Sequence, residues 1–307
     1  METVRTSDRV VTFAGPASPG ATLAPLRRGP GDPTFQIDAD RAIWRTSLLE
    51  SGAVTAQITR VGPAAVRGRA WGDGADEFAD LLPGLLGFDD DCSDFDPVHP
   101  VVAQAWRRVP HLRLGRTRRV VEALVPAVIE QRVPGADAFR SWRVLVTRFG
   151  TAAPGPAPAR MRVPPAPEVW RRIPSWEFHR ANVDPNRARA IVSCAQRAAS
   201  LERLSNRPAA EARAALTSLP GVGVWTAAEV AQRAWGDADA LSVGDYHIPK
   251  MIGWTLAGHP VDDAGMLELL EPMRPHRHRA VRLLEVSGLA REPRFGARLP
   301  VQNISAL

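Results

Sequence analysis

Two short stretches of this 307-residue chain carry residue types at spacings that could do chemistry. The first is Leu219-Pro220-Gly221-Val222-Gly223-Val224-Trp225-Thr226-Ala227, set between two segments of helical periodicity. Proline stops the first helix, and Gly221 and Gly223 allow a tight turn with positive φ. The next helix starts at once and presents free N–H groups, which suits a phosphate, while the missing Cβ atoms let a DNA backbone come close. Thr226 adds a hydroxyl donor. The plain alternative is an αα-hairpin turn without a ligand. The second stretch is Val243-Gly244-Asp245-Tyr246-His247-Ile248, whose Asp245 lies 20 residues beyond Trp225. One helix and a loop can return the chain over that distance, so Asp245 is expected near the hairpin. Asp245 also suits the N-cap of a helix beginning at Tyr246. Capping and a reactive carboxylate are compatible.

The rest of the inventory narrows the chemistry. Cys92 and Cys194 are the two cysteines, without a CxxC, so neither a zinc ribbon nor a cysteine-ligated iron–sulfur cluster can be built; two buried free thiols are expected. The seven histidines show no HExxH spacing, and no metal or cofactor is expected. The chain has 39 basic and 33 acidic residues, a net charge of +6, which favours a polyanionic partner. Abundant Ala, Pro and Arg is also what a GC-rich genome produces, so the basicity is only suggestive. Lys250 is the sole lysine. No run of 18 apolar residues and no signal-type segment is present, and a cytosolic protein is expected.

With LPGVGVWTA followed by GDYHIPK, the sequence resembles the helix-hairpin-helix DNA glycosylases, most of all the DNA-3-methyladenine glycosylase II branch. The resemblance spans roughly Pro97 to Ala290 and includes Ile129-Glu130-Gln131-Arg132-Val133, where that family has a similar glutamine-containing motif. It implies that Asp245 is the essential carboxylate and that the target base is flipped out of the duplex. It implies monofunctional hydrolysis of alkylated purines of the 3-methyladenine and 7-methylguanine type, in base excision repair. Bifunctional relatives carry a Schiff-base lysine in the hairpin where this chain has Trp225, and Lys250 lies outside the hairpin. The partner implied is double-stranded DNA with damaged bases, bound by a monomer that joins the bacterial nucleoid when on DNA. Arg132 stands where the resemblance places the residue that wedges into the duplex; a surface arginine at a helix end is the alternative. Gln131 would touch a neighbouring base or the orphaned partner, or simply make a helix-terminal polar contact.

Two positions depart from the family pattern. Glu229, one helical turn beyond Trp225, and Glu285, in the last helix, stand where aromatic side chains would line the base pocket. Either they form an acidic pocket that favours cationic bases, or they are solvated helix residues. A non-catalytic DNA-binding or damage-sensing protein, and a glycosylase for uracil, hypoxanthine or an oxidised base, are the competing readings.

The elements that must position these residues fall into two groups. Phe35 to Ile37, Ala42 to Leu49, Val54 to Val61 and Ala65 to Trp71 are strand-like, and Phe78 to Leu86 is a short helix interrupted at Pro83. The run Asp89-Asp90-Asp91 reads as a solvated loop. From Pro97 on the pattern is helical: Arg118 to Val133, kinked at Pro126; Phe139 to Phe149, ended by Gly150; Asp184-Pro185 opening a helix towards Leu204; Pro208 to Ser218; Val224 to Trp235; Met266 to Met273; and His276 to Val286. Thr151 to Pro167 reads as an extended linker or surface loop. The arginine-rich last helix, with His276, Arg277, His278, Arg279 and Arg282, either touches phosphates or is a solvated face. The expectation is a mainly α protein: an N-terminal α+β domain over 1–96, an all-helical glycosylase domain with the helix-hairpin-helix over 97–290, and a tail over 291–307.

Overall fold

The computed structural model describes residues 4–291; the expected tail lies almost wholly outside the described residues. Five strands form an antiparallel sheet: β1 (Thr6–Thr12), β2 (Phe35–Ile37), β3 (Ile43–Leu48), β4 (Ala53–Arg60) and β5 (Ala65–Trp71), in the order β1-β5-β4-β3-β2. The last four follow as a meander, with Thr46 opposite Thr55 and Gln57 opposite Arg69. Helix α1 (Pro19–Leu23) precedes β2, and α2 (Ala75–Leu85) follows β5. Leu23, Val54, Ile58, Val66, Phe78 and Leu82 form a core between sheet and helices.

The remaining chain is helical: α3 (Pro100–Arg108), α4 (Val120–Ile129), α5 (Gly135–Phe149), α6 (Pro167–Trp170), α7 (Ser175–Arg180), α8 (Pro185–Gln196), α9 (Ala198–Glu202), α10 (Ala209–Thr217), α11 (Val224–Ala234), α12 (Ile248–Ile252), α13 (Asp263–Leu270) and α14 (Arg277–Ser287). Helix α4 is buried at every position but Glu122, which is why its apolar residues run almost without interruption. It packs against α8 and α11. A second helical core gathers α3, α12, α13 and α14 around Val102, Ile252, Met266, Leu270 and Leu283. No helix among the described residues is long and apolar enough to cross a membrane. The chain is thus mainly α with an N-terminal α+β part, as its periodicities predict.

Four local readings need correction. Thr151 to Pro167 is a surface loop, not an extended linker. It holds the short pair β6 (Thr151–Ala152) and β7 (Arg162–Val163), with Met161 and Val163 buried and the Arg162 carbonyl taking the Thr46 hydroxyl at 2.6 Å. The acidic run is not solvated throughout, because Asp90 accepts two bonds from Arg279, at 2.6 and 2.9 Å, and one from the Leu114 N–H. The arginine-rich α14 is neither a phosphate face nor a solvated one. Arg279 is 0% exposed, Arg277 pairs with Asp239 at 2.6 Å, and His276 meets Asp94 at 2.7 Å. Partner carboxylates, not helical periodicity, decide where these guanidiniums go. Cys194 is buried, and burial pushes its thiol up to about 11, but Cys92 is only half-buried.

Candidate active site

The hairpin lies between α10 and α11, with its two glycines in different environments. Gly221 has φ +82°, and a Cβ there would meet the Ala190 Cβ at 2.8 Å. It is glycine for the turn and for packing on α8. Gly223 is extended, and a Cβ on it would meet nothing within 4 Å. Its open side faces away from the protein, beside a helix start that no side chain caps. The first-turn N–H groups of α11 have no partner within their own helix and carry the positive end of its dipole.

Behind the turn, Gln131 joins α4 to the hairpin. Its amide donates to the Gly221 carbonyl and to the Thr226 hydroxyl, both at 2.8 Å. Thr226 is 2% exposed. Its side chain therefore braces the hairpin from inside and does not face a phosphate, which corrects the expected outward donor. Next to Gln131, Arg132 is exposed and holds φ +54°, a conformation that a bulky residue keeps only when its surroundings impose it. Close by in the chain, the buried Arg187 side chain of α8 donates to the Ile129 carbonyl at 2.6 Å and to the Asn182 carbonyl at 3.1 Å, fixing the end of α4.

Asp245 comes to the hairpin as its spacing predicts. Its Oδ2 accepts the Trp225 indole N–H at 3.0 Å. Its Oδ1 accepts the backbone N–H groups of His247 at 2.7 Å and Ile248 at 3.0 Å, a side-chain turn that leads into α12. That helix begins at Ile248 with His247 at its N-cap, so Asp245 does not cap a helix starting at Tyr246. Gly244, at φ +90°, makes the turn into it. Exposed Tyr246 follows, with the Lys250 ammonium 3.6 Å from its ring centroid. The carboxylate thus has fixed direction and keeps lone-pair capacity on Oδ2.

Glu229 is neither a solvated residue nor an unbalanced acidic wall. It is 8% exposed and pairs with Arg233 at 2.7 Å. Arg233 also donates to the Pro25 carbonyl at 3.1 Å, and that carbonyl takes a second bond from Arg28 at 2.8 Å. Arg28 in turn lies 2.8 Å from Glu130. Two guanidiniums and two carboxylates, drawn from the segment after α1, the end of α4 and α11, therefore balance one another. Burial pulls Arg28 below its ordinary value against the attraction of Glu130. Burial also pulls on Arg233, but Glu229 and Glu130 outweigh it and raise that group. Glu285 stands apart, exposed on α14 and paired with Arg282. Glu229 and Glu285 thus have different partners, although the charge of Glu285 also helps to raise Arg233. Sequence reasoning missed Arg28, Glu130 and Arg233; an i,i+4 Glu–Arg pair was the available signal for the last.

No protein-family model matches the sequence, and no curated protein does. Solved structures do. A 3-methyladenine DNA glycosylase from Archaeoglobus fulgidus superposes with a TM-score of 0.73 at 16% identity, over 91% of this chain and 98% of that one. The 8-oxoguanine glycosylase/lyase of Clostridium acetobutylicum in its apo form superposes at 0.69 and 11% identity, over 92% and 98%. The same enzyme bound to duplex DNA with cytosine opposite 8-oxoguanine gives 0.68 at 11%, over 94% and 98%. The chain therefore has the helix-hairpin-helix glycosylase fold. Within that fold the described site is a glycine hairpin facing a carboxylate that is held by an indole.

Proposed function

We propose that this chain is a monofunctional DNA glycosylase that hydrolyses the N-glycosidic bond of alkylated purines. The observation that carries the reading is the Trp225–Asp245 hydrogen bond of 3.0 Å, which holds a directed carboxylate beside a phosphate-ready hairpin. Breaking the glycosidic bond builds positive charge on the deoxyribose. A fixed carboxylate stabilises that charge without reorganising, and it can orient a water for attack. A purine alkylated at N3 or N7 leaves as a neutral base from a cationic substrate, so one carboxylate suffices. The first-turn N–H groups of α11 and open Gly223 would hold a phosphate. Exposed Arg132 would fill the gap left by the flipped base, whose extrusion costs a few kcal/mol and least for a damaged base. Trp225 occupies the hairpin position and has no amine for a Schiff base, which supports hydrolysis without strand cleavage.

A second reading, release of a neutral oxidised purine, has its own support in the charge balance at Glu229. With Arg233 and Arg28 beside it, the Glu229 carboxylate no longer gives a Coulombic reason to prefer a cationic base. The test incubates the protein with duplexes carrying 3-methyladenine, 7-methylguanine, 8-oxoguanine, hypoxanthine or uracil, then treats them with alkali to break abasic sites. Breaks at the alkylated purines, and none before alkali, are expected. Breaks only at 8-oxoguanine would establish the second reading, and no breaks on any duplex would overturn both. Borohydride added during turnover should trap no protein–DNA adduct; an adduct lost in Lys250→Ala would make the enzyme a lyase.

A further inference from the structure

We infer that Ser242 and Glu229 are positioning residues that fix Asp245 from behind, so that α11 sets the catalytic carboxylate through two routes. The inference rests on the reading of Asp245 as the group that stabilises the cationic sugar. Trp225, Glu229 and Gln232 stand at i, i+4 and i+7 on α11 and form one stripe. All three reach the loop that carries Asp245. Trp225 bonds the carboxylate directly. Gln232 donates to the Ala240 carbonyl at 2.8 Å and to the Ser242 hydroxyl at 2.9 Å. The Ser242 hydroxyl donates to Glu229. The Ser242 carbonyl then accepts the Asp245 N–H at 3.1 Å.

The direction of this chain of bonds is set by chemistry. An ionised carboxylate only accepts, so Glu229 claims the single hydroxyl proton of Ser242. The hydroxyl oxygen is left to accept, and the Gln232 amide is the donor that reaches it. Ser242 is 1% exposed, so neither bond is exchanged for water. Glu229 cannot swing away, because Arg233 holds its other oxygen and is itself tied to the Pro25 carbonyl. Hydrogen bonds rather than packing hold the loop: Gly244 has no neighbour within 4 Å of its Cβ site, its N–H goes to the Asp263 carboxylate at 2.9 Å, and the Asp245 N–H goes to Ser242. This assigns Glu229 a role other than contact with the base, and it explains a carboxylate on α11 whose charge is already balanced.

The test compares two duplexes, one with a neutral tetrahydrofuran abasic site and one with the cationic pyrrolidine analogue. Wild type should prefer the cation, and Asp245→Asn should lose that preference. Ser242→Ala should fold, with a lowered melting temperature because a buried Glu229 oxygen loses its donor. It should keep the tetrahydrofuran affinity but shrink the preference about tenfold, the size expected for one well-aimed hydrogen bond. In the free protein, the Trp225 indole proton, assigned by its loss in Trp225→Phe, should exchange faster in Ser242→Ala. Glu229→Gln, which keeps an acceptor at that place, should shrink the preference less than Ser242→Ala does. An unchanged preference and unchanged indole exchange in Ser242→Ala would overturn the inference, as would an equal loss on both duplexes. Absence of any preference in wild type would instead overturn the role given to Asp245. If Ser242→Ala does not fold, Gln232→Leu, which removes the donor to the same hydroxyl, takes its place with the same criteria.

Discussion

Asp245 uses its two oxygens for different tasks. Oδ1 takes the His247 and Ile248 N–H groups and ends the loop, while Oδ2 takes the Trp225 indole. Asparagine makes the same side-chain turn as aspartate. Asp245→Asn should therefore fold and bind DNA much as wild type does while losing the negative charge that the proposed reaction needs at the sugar. Single-turnover release of an alkylated purine is expected to fall roughly 10²–10³-fold, the usual cost of removing one electrostatic stabiliser. Release at near wild-type rate would remove Asp245 from the chemistry. At this scale the sequence showed Asp245, Trp225 and the two glycines, because an LPGVG turn and a carboxylate 20 residues on make a spacing. It did not show Ser242, Gln232 or Arg28. A lone serine or glutamine has no periodicity to betray it, and Arg28 reaches Glu130 across a hundred residues of chain.

The hairpin separates what folding needs from what binding needs. Gly221 is required by its φ of +82° and by Ala190 at 2.8 Å, so replacing it tests the fold as much as the ligand. Gly223 is extended and faces open space, so a side chain there meets only what the hairpin binds. Gly223→Leu should fold, with the melting temperature lowered only by the poorer N-cap of α11, and should weaken binding to damaged and undamaged duplexes alike. About tenfold is expected, near the value of one hydrogen bond to a charged group. Titration of both duplexes measures it, and unchanged affinity in the folded variant would take the hairpin out of the DNA interface. Elements with strong patterns were readable: β2 and β5 lie where alternation puts them, and α5, α10 and α11 agree to within a few residues. Strand β1 was missed because Val11 is its only buried residue, leaving no alternation to see. Helix α3 was missed because it buries only Val102 and Ala105. The helix opening at Pro185 stops at Gln196, and a shorter one follows, which its periodicity did not reveal.

Across the whole molecule, net charge is a poor guide to where the basic residues work. The chain is +6, yet Arg279, Arg277, Arg233, Arg187 and Arg28 are spent on internal carboxylates and carbonyls. They tie α14 to the acidic run and α11 to the segment after α1, and so join the sheet-bearing part to the helices. Composition reports the number of arginines, and only the fold reports their partners. His278 lies at this junction, in a small cavity with Pro25, Leu85, Gln232, Arg233 and Arg282. Burial lowers its imidazole well below its ordinary value, and Arg282, Arg233 and Arg279 lower it further. The folded state thus keeps His278 neutral at a pH where the unfolded chain, with an ordinary histidine near 6.5, takes up a proton. The unfolded state binds more protons below that value, so this group's contribution to stability is full above pH ~6.5 and is lost as pH falls beneath it. The loss approaches about 1.4 kcal/mol per pH unit for a single group of this kind. Replacing the ring with an uncharged amide removes the term. Urea unfolding of wild type and His278→Gln, measured from pH 8 to pH 5, should give parallel stabilities above pH 7 and a shallower acid decline in the variant. Identical slopes below pH 6.5 would mean that His278 gains its proton in the folded state as readily as in the unfolded one, and that burial and the three arginines around it do not hold it neutral.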